Sequence, residues 1–179
     1  MKIENTPIKD LLVITPKVFE DERGYFFESY NEALFKENGI DIKFIQDNQS
    51  FSKYGVIRGL HLQVPPFAQT KLVRVLQGEI LDVAVDIRKD SKTYGQHFSV
   101  LLSAENKKQL LIPQGFAHGF SVLSPTAMVS YKVDQLYDKN SERGIRFDDP
   151  SLNINWKINS EESIVSAKDQ ILGELKDLV

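Results

Sequence analysis

A succession of short strand-like runs, separated by turn residues, limits the possible folds of this chain more than any other feature. Between residues 71 and 133, apolar and branched runs alternate with breaks such as 92–95, 113–115 and 124–125, which contain Gly or Pro. Many short strands at this spacing are typical of β-sandwiches and jelly-roll barrels. The sequence therefore predicts an all-β fold, a jelly-roll sandwich or barrel, with a few short helices.

The strongest strand signal lies in residues 71–88, where two branched runs flank Gln77 and Gly78. Alternation places one apolar set and one mixed set of side chains on opposite faces of the second run. The apolar set is Leu81, Val83, Val85 and Ile87, and the mixed set is Ile80, Asp82, Ala84 and Asp86. We interpret this segment as a β-hairpin with one dry face. Further strands are predicted at 97–102, 109–112, 119–123 and 127–133.

Helical signals are few. Residues 31–39 predict a short helix that Asn31 caps at its start and Gly39 ends. A second short helix is predicted at about 171–178. Repeats, low-complexity tracts and linkers are absent from the sequence, so residues 1–179 are expected to form a single domain.

Composition excludes several classes of function. The chain has no cysteine, which rules out disulfides and zinc–thiolate sites. Its net charge of −3 and the absence of a Lys/Arg stripe argue against nucleic-acid binding. The longest N-terminal apolar run is 11–14, too short for a signal peptide, and no stretch approaches a membrane span of about 20 residues. We expect a cytoplasmic protein with no membrane partner.

Three histidines can be weighed individually. His61 lies in a strand-like run, His118 follows a Pro–Gly turn, and His97 has no polar companions in its pattern. Each alone is most simply a structural histidine, because perturbed groups often serve only the fold. The spacing of His61 and His118 nevertheless resembles that of the two cupin half-motifs. This resemblance makes the predicted fold a cupin-type jelly-roll sandwich or barrel.

The cupin metal site is incomplete in this sequence. The second half-motif, Pro-x-Gly-x-x-His, is intact and ends at His118. In the first half-motif Gln63 replaces the second His, and Lys71 lies where a carboxylate ligand is expected. Two His donors are too few for a typical metal site, and the lysine would repel a cation. We therefore expect a cupin pocket without a metal and without another cofactor.

The remaining polar groups suit abstraction of a proton beside a carbonyl. A His can act as the base near neutral pH, a Lys or Arg can stabilise the enolate oxygen, and a Tyr can return a proton. The sequence has no Gly-x-Ser-x-Gly elbow, Walker A motif or dinucleotide fingerprint. Proton abstraction beside a carbonyl therefore remains the chemistry that the available groups suit.

Seven motifs occur in a fixed order along nearly the whole chain. They are DERGYFFE at 21–28, QDNQS at 46–50, RGLHLQ at 58–63, AQTKLVR at 68–74, GEILDVAVDIR at 78–88, PQGFAHGF at 113–120 and SAKD at 166–169. Together they resemble the dTDP-4-dehydrorhamnose 3,5-epimerase family. This resemblance implies inversion of C3 and C5 of dTDP-4-dehydro-6-deoxy-D-glucose.

The resemblance also implies a role for each catalytic residue. His61 would be the general base, and Asp169 would orient it. Tyr131 would donate the proton on the opposite face of the sugar. Lys71, helped by His118, would stabilise the enolate oxygen at C4.

The implied binding residues surround these groups. Phe26 and Phe120 would wall the sugar pocket, and Tyr137 would stack on the thymine. The diphosphate and sugar would be held by Arg23, Glu28, Gln46, Asn48, Arg58, Glu142 and Lys168. The resemblance further implies a homodimer in which residues 23–28 reach the partner's pocket.

Three alternatives stay open at this point. A single-site 3- or 5-epimerase acting on a related nucleotide-4-keto sugar would use the same groups. A metal-dependent cupin enzyme or a non-catalytic sugar-binding cupin would use the same fold.

Overall fold

The computed structural model describes residues 1–178 and forms a sandwich of two β-sheets. Helices contribute little: α1 spans Glu32–Glu37 and α2 spans Ala167–Gln170. The strands are β1 Lys2–Asn5, β2 Leu12–Thr15, β3 Phe19–Asp21, β4 Gly24–Phe26, β5 Gln46–Lys53, β6 Val56–Gln63, β7 Lys71–Gln77, β8 Glu79–Asp86, β9 His97–Ser103, β10 Gln109–Ile112, β11 Phe116–Val122, β12 Thr126–Val133, β13 Glu142–Gly144 and β14 Ile164–Val165. The predicted all-β jelly-roll class is confirmed in its sandwich form.

Most neighbouring strands in each sheet are distant in sequence, apart from the consecutive pairs β1-β2 and β8-β9. The first sheet has the order β1-β2-β10-β7-β12-β5, and the second has β13-β6-β11-β8-β9 with β14 beside β6. Neighbouring strands run antiparallel except for β14, which pairs parallel with β6. Strands β3 and β4 form a separate two-stranded ribbon. Strands β6 and β12, which carry His61 and Tyr131, therefore lie in opposite sheets.

Apolar side chains fill three buried layers. The layer between the sheets joins residues of both, including Val73 and Ile80. A second layer lies on the outer face of the second sheet, where Trp156 and its neighbours cover Val83. A third layer packs α1 against the outer face of the first sheet through Phe35. Burial of this apolar surface is the main favourable contribution to folding.

The predicted hairpin at 71–88 is wrong. Strand β7 pairs with β10 and β12, whereas β8 pairs with β9 and β11, so the chain passes from one sheet to the other at Gly78. Gly78 has φ of 78°, and an added Cβ would lie 2.1 Å from the Thr126 carbonyl oxygen. A side chain at this crossing would be strained and would also clash. The predicted face alternation is retained over 80–86, where the side chains of both faces are buried.

The other predicted strands are confirmed at β9, β10, β11 and β12. The N-terminal helix is also confirmed. The Asn31 side chain accepts a hydrogen bond from the Leu34 amide at 3.1 Å, and Gly39 follows the helix with φ of 82°. Both ends therefore use the capping chemistry that the sequence indicated.

The predicted helix at 171–178 is wrong. This segment contains only a 3-10 turn, Leu175–Asp177. The Gly173 carbonyl accepts from the Arg146 amide at 2.8 Å, and the Leu175 amide donates to Asp149 Oδ2 at 2.6 Å. Hydrogen bonds to distant residues thus occupy backbone groups that a continuous helix would need for its own internal hydrogen bonds.

A C-terminal strap, residues 160–170, runs along β6 and positions α2. The Ile164 amide donates to the Gly55 carbonyl at 2.8 Å, next to the short parallel pairing of β14 with β6. Ser166 then caps α2 by accepting from the Asp169 amide at 3.1 Å. The strap thereby brings Asp169 beside the strand that carries His61. Within residues 1–178, the helices are all too short or too polar to cross a membrane.

Candidate active site

A cleft of about 570 Å³ lies next to β6, β11 and β12, and the strap forms part of its wall. Ten of the fifteen predicted site residues line it. They are Arg58, His61, Lys71, His118, Phe120, Tyr131, Tyr137, Glu142, Lys168 and Asp169. A cleft of this size that gathers several ionisable groups is the expected form of a small-molecule site.

His61 and Asp169 form a close pair in this cleft. The His61 Nε2 atom lies 2.7 Å from Asp169 Oδ1, and Asp169 is only 4% exposed. Burial lowers the pKa of His61 below 6.5, although the charge of Asp169 and its hydrogen bond act in the opposite direction. With Nε2–H donating to the carboxylate, Nδ1 keeps its lone pair. Within residues 1–178 Nδ1 has no hydrogen-bond partner, so it can accept a proton.

Lys71 brings a positive charge close to this pair. Its Nζ atom donates to the His61 carbonyl oxygen at 3.3 Å. Burial lowers the pKa of Lys71 from 10.5 to about 8, while Asp82 and Glu142 limit the decrease. Lys71 is therefore still mostly protonated at neutral pH and can stabilise a developing oxyanion.

His118 lies opposite His61 in the pairing of β11 with β6. Its Nε2 atom is 2.7 Å from Asp82 Oδ1, and both side chains are buried. Asp82 is not among the predicted binding residues, but its place on the mixed face of 80–87 indicates a buried acid that supports the site. A buried carboxylate requires a partner. Asp82 therefore orients the ring of His118 as Asp169 orients that of His61.

Tyr131 enters the cleft from the other sheet. Burial raises the pKa of Tyr131 above 10, and the nearby charge of Arg58 only partly offsets this. The hydroxyl therefore stays protonated at neutral pH and is available as an acid. Arg58 itself donates through Nε to Ser52 Oγ at 3.0 Å.

Three polar residues linked by hydrogen bonds lie at another part of the cleft wall. The Tyr137 hydroxyl donates to Glu142 Oε2 at 2.9 Å, and Lys168 Nζ donates to Glu142 Oε1 at 2.7 Å. Burial acts to raise the pKa of Glu142, but these two hydrogen bonds, together with the charges of Lys168 and His61, lower the pKa overall. Tyr137 is 58% exposed and lines the cleft, so its side chain is accessible to a ligand.

Five predicted residues do not line this cleft. Arg23 and Phe26 belong to the β3–β4 ribbon, with the Arg23 side chain 85% exposed and Phe26 67% exposed. Glu28 follows the ribbon and accepts from the Asn31 side chain at 3.0 Å. Gln46 and Asn48 lie on β5 and are joined by a 2.8 Å hydrogen bond. Asn48 is directly opposite Tyr131 in the β5–β12 pairing.

Among residues 1–178, no group of three or more His, Cys, Asp or Glu side chains could hold a metal ion. Gln63, at the position of the second His of the cupin motif, is hydrogen-bonded to backbone groups instead.

Comparisons with known proteins point to one family. The family model described as dTDP-4-dehydrorhamnose 3,5-epimerase matches residues 5–177. A relative of that name from Shigella flexneri is 53% identical over 170 residues, which cover 94% of this chain and 93% of the relative.

Solved structures agree. The crystal structure of dTDP-4-dehydrorhamnose 3,5-epimerase from Elizabethkingia anophelis matches with a TM-score of 0.95 and 54% identity, covering 99% of this chain and 98% of that one. A dTDP-6-deoxy-D-glucose-3,5-epimerase from Legionella pneumophila, in complex with dTDP-4-keto-L-rhamnose, matches with a TM-score of 0.95 and 47% identity over 99% and 94% of the two chains. On sequence and fold together, this chain belongs to the dTDP-4-dehydrorhamnose 3,5-epimerase family of isomerases.

Proposed function

We propose that this protein inverts C3 and C5 of dTDP-4-dehydro-6-deoxy-D-glucose to give dTDP-4-dehydro-L-rhamnose. The observation that carries the proposal is the placement of His61 and Tyr131 on strands of opposite sheets, both lining one cleft. A sugar ring lying between them would present one face to each residue. Inversion requires proton removal on one face and delivery on the other, and this pair of groups supplies both.

The proposed reaction consists of two proton transfers at each carbon. His61 Nδ1 takes the proton beside the C4 ketone, and the electron pair of the broken C–H bond forms a C=C bond. The carbonyl π electrons move onto the C4 oxygen, giving an enolate. When the enolate collapses, Tyr131 gives its hydroxyl proton to the opposite face of the carbon. A proton passing from His61 to solvent and one from solvent to Tyr131 restore the starting state.

Three further side chains support these transfers. The substrate's own ketone accepts the electron pair, so the scheme uses no cofactor. Lys71 and His118 are proposed to stabilise the charge on the C4 oxygen. Asp169 stabilises the imidazolium that forms when His61 takes the proton, since a buried carboxylate at 2.7 Å favours the charged ring.

Recognition of the dTDP group is proposed to involve Arg58 and the three hydrogen-bonded residues Tyr137, Glu142 and Lys168. Arg58 and Lys168 can neutralise a diphosphate, and the exposed aromatic side chain of Tyr137 can stack on thymine. The related structure from Legionella pneumophila contains a dTDP-linked keto sugar, which supports this class of ligand.

A homodimer is proposed to complete the site. Arg23 and Phe26 extend into solvent on the ribbon, and Glu28 follows them, although the resemblance expects all three to bind substrate. The ribbon also exposes Phe19 and Tyr25, a concentration of aromatic surface that is typical of an interface. In a dimer these residues would reach the cleft of a second copy.

Incubation with the proposed substrate in D2O, with a chelator present, tests the reaction directly. We expect two deuterons per product molecule, at C3 and C5, and unchanged activity after chelation. Deuterium at only one carbon would assign a single-site epimerase. Activity that disappears on chelation and returns with one divalent ion would assign a metal-dependent enzyme instead.

The pH dependence of kcat/KM should show two limbs. Protonation of His61 removes the base, so the acid limb lies below pH 6.5, where burial has moved the pKa of the ring. Deprotonation of Lys71 removes the cation, so the alkaline limb lies near pH 8. The pKa of Tyr131 is raised above 10 and leaves this limb unaffected. In a Lys71→Gln variant the limb near pH 8 should disappear, and its persistence there would contradict the assignment.

Removal of the Tyr137 ring should weaken binding of the nucleotide. We expect Tyr137→Ala to reduce the affinity for dTDP by about 1–3 kcal/mol, the usual contribution of a base-stacking aromatic. Calorimetry with dTDP measures this change, and Tyr94→Ala, which removes an exposed ring outside the cleft, is the control. Equal affinities for the Tyr137→Ala variant and the unmodified protein would make Tyr137 an ordinary surface residue.

A further inference from the structure

Gln63 is buried and lies near the end of β6, two residues after His61. Its side chain uses its oxygen and its NH2 group in three hydrogen bonds. Nε2 donates to the Phe67 carbonyl at 2.6 Å and to the Leu136 carbonyl at 3.1 Å, and Oε1 accepts from the Asp138 amide at 2.7 Å. Because buried amide groups are costly when unpaired, this arrangement fixes the backbone that it contacts.

Two of these three hydrogen bonds are made with the backbone on either side of Tyr137. Leu136 and Asp138 are its immediate neighbours, so Gln63 holds the peptide groups on both sides of the residue that carries the ring. Leu136 and Tyr137 are themselves more than half exposed and gain little positional restraint from packing. Within residues 1–178, the Tyr137 side chain makes one hydrogen bond, from its hydroxyl to Glu142. The position of the ring therefore depends strongly on its backbone, and the backbone depends on Gln63.

We infer that Gln63 is a positioning residue that holds the Tyr137 ring ready to receive the pyrimidine base of the nucleotide. The inference rests on the proposed function, which assigns stacking to Tyr137. A ring held in place before binding loses less conformational freedom when the ligand arrives, and this raises affinity. The strand position that supplies a metal ligand in the cupin motif thus serves nucleotide recognition in this chain.

The test compares two Gln→Met substitutions, which keep side-chain length and remove the amide. Gln63→Met should weaken dTDP binding about 5- to 10-fold by calorimetry, as expected when a preorganised ring is released. Gln114→Met is the matched control. Gln114 is exposed and bonds Asp134 at the start of the same loop, three residues before Tyr137, so its substitution should leave affinity unchanged.

A double-mutant cycle makes the test specific. In the Tyr137→Ala background, Gln63→Met should cause no further loss of dTDP affinity, because the ring that Gln63 positions is absent. In the otherwise unmodified protein, Gln63→Met should raise KM and change kcat by less than about twofold, since bound substrate restores the ring position. Thermal unfolding of each variant checks the fold. If the Met variant does not fold, Gln63→Glu, which keeps the acceptor for Asp138 and loses both donors, replaces it.

The outcomes separate this inference from the proposed function. Unchanged dTDP affinity for Gln63→Met, or losses that add in the double variant, would overturn the role of Gln63 and leave the function intact. If Tyr137→Ala left the affinity for dTDP unchanged, the proposed stacking of Tyr137 on the base would be wrong. The inference about Gln63 would then fail with it.

Discussion

His61→Ala is expected to slow exchange of the substrate's C3 and C5 protons with D2O by about 10²–10⁴-fold, the usual contribution of a positioned general base. The effect should be this large because one atom, Nδ1, is proposed to remove the proton at both carbons. Binding of dTDP should be nearly unchanged, since the nucleotide contacts proposed for Tyr137, Arg58 and Lys168 remain. Exchange is measured by NMR or mass spectrometry of the sugar after timed incubation.

His97→Ala is the matched control for this variant. His97 is the remaining histidine besides His61 and His118; it lies on β9 and does not line the cleft. Exchange in that variant should equal that of the unmodified protein. Deuterium entering both carbons at the unmodified rate in His61→Ala would exclude His61 as the base.

Tyr131→Phe should separate exchange from inversion. The variant keeps the ring and its packing and loses only the hydroxyl, so His61 can still remove and return protons on its own face. Solvent deuterium should therefore continue to enter the substrate. The yield of inverted sugar should nevertheless fall about 10²-fold or more, since a positioned general acid contributes at least that much. A planar enolate held in a close-fitting cleft is not expected to turn over and present its other face to His61.

The product ratio is measured by following deuterium and stereochemistry in the same sample. Tyr94→Phe, in which an exposed tyrosine outside the cleft loses its hydroxyl, is the control. If Tyr131→Phe gave the unmodified yield of doubly inverted product, the donor would have to be Tyr137 or a bound water.

The sequence predicted strand positions better than strand partners. Alternation identified which residues of 80–87 share a face, because side-chain direction in a strand is a local property. Whether β8 pairs with β7 is not local, since the same alternation suits a hairpin and a crossing between sheets. The close approach of Thr126 to Gly78, which marks the crossing, joins segments almost fifty residues apart and has no signal in either segment.

The predicted helix at 171–178 failed for a similar reason. Its leucines at 172, 175 and 178 have the spacing of a helix. They pack without forming one, because the backbone of this segment is hydrogen-bonded to Arg146 and Asp149 instead. In the site, the spacing of His61 and His118 resembles that of the two cupin half-motifs, and the strands that carry them, β6 and β11, are paired. The contact between His61 and Asp169, 108 residues apart, was expected only from the family resemblance.

The sheet order has a consequence for the kinetics of folding. Strands β5, β6, β7 and β8 each pair with β11 or β12, so most of the sandwich requires closure of long loops before its ladders can form. Chains dominated by such distant pairings fold in about milliseconds to seconds, much more slowly than helical bundles. The cleft belongs to the same long-range pairings, with His61 on β6 and Tyr131 on β12. No short fragment of this chain can therefore carry the site, and regain of activity during refolding reports on closure of the whole sandwich.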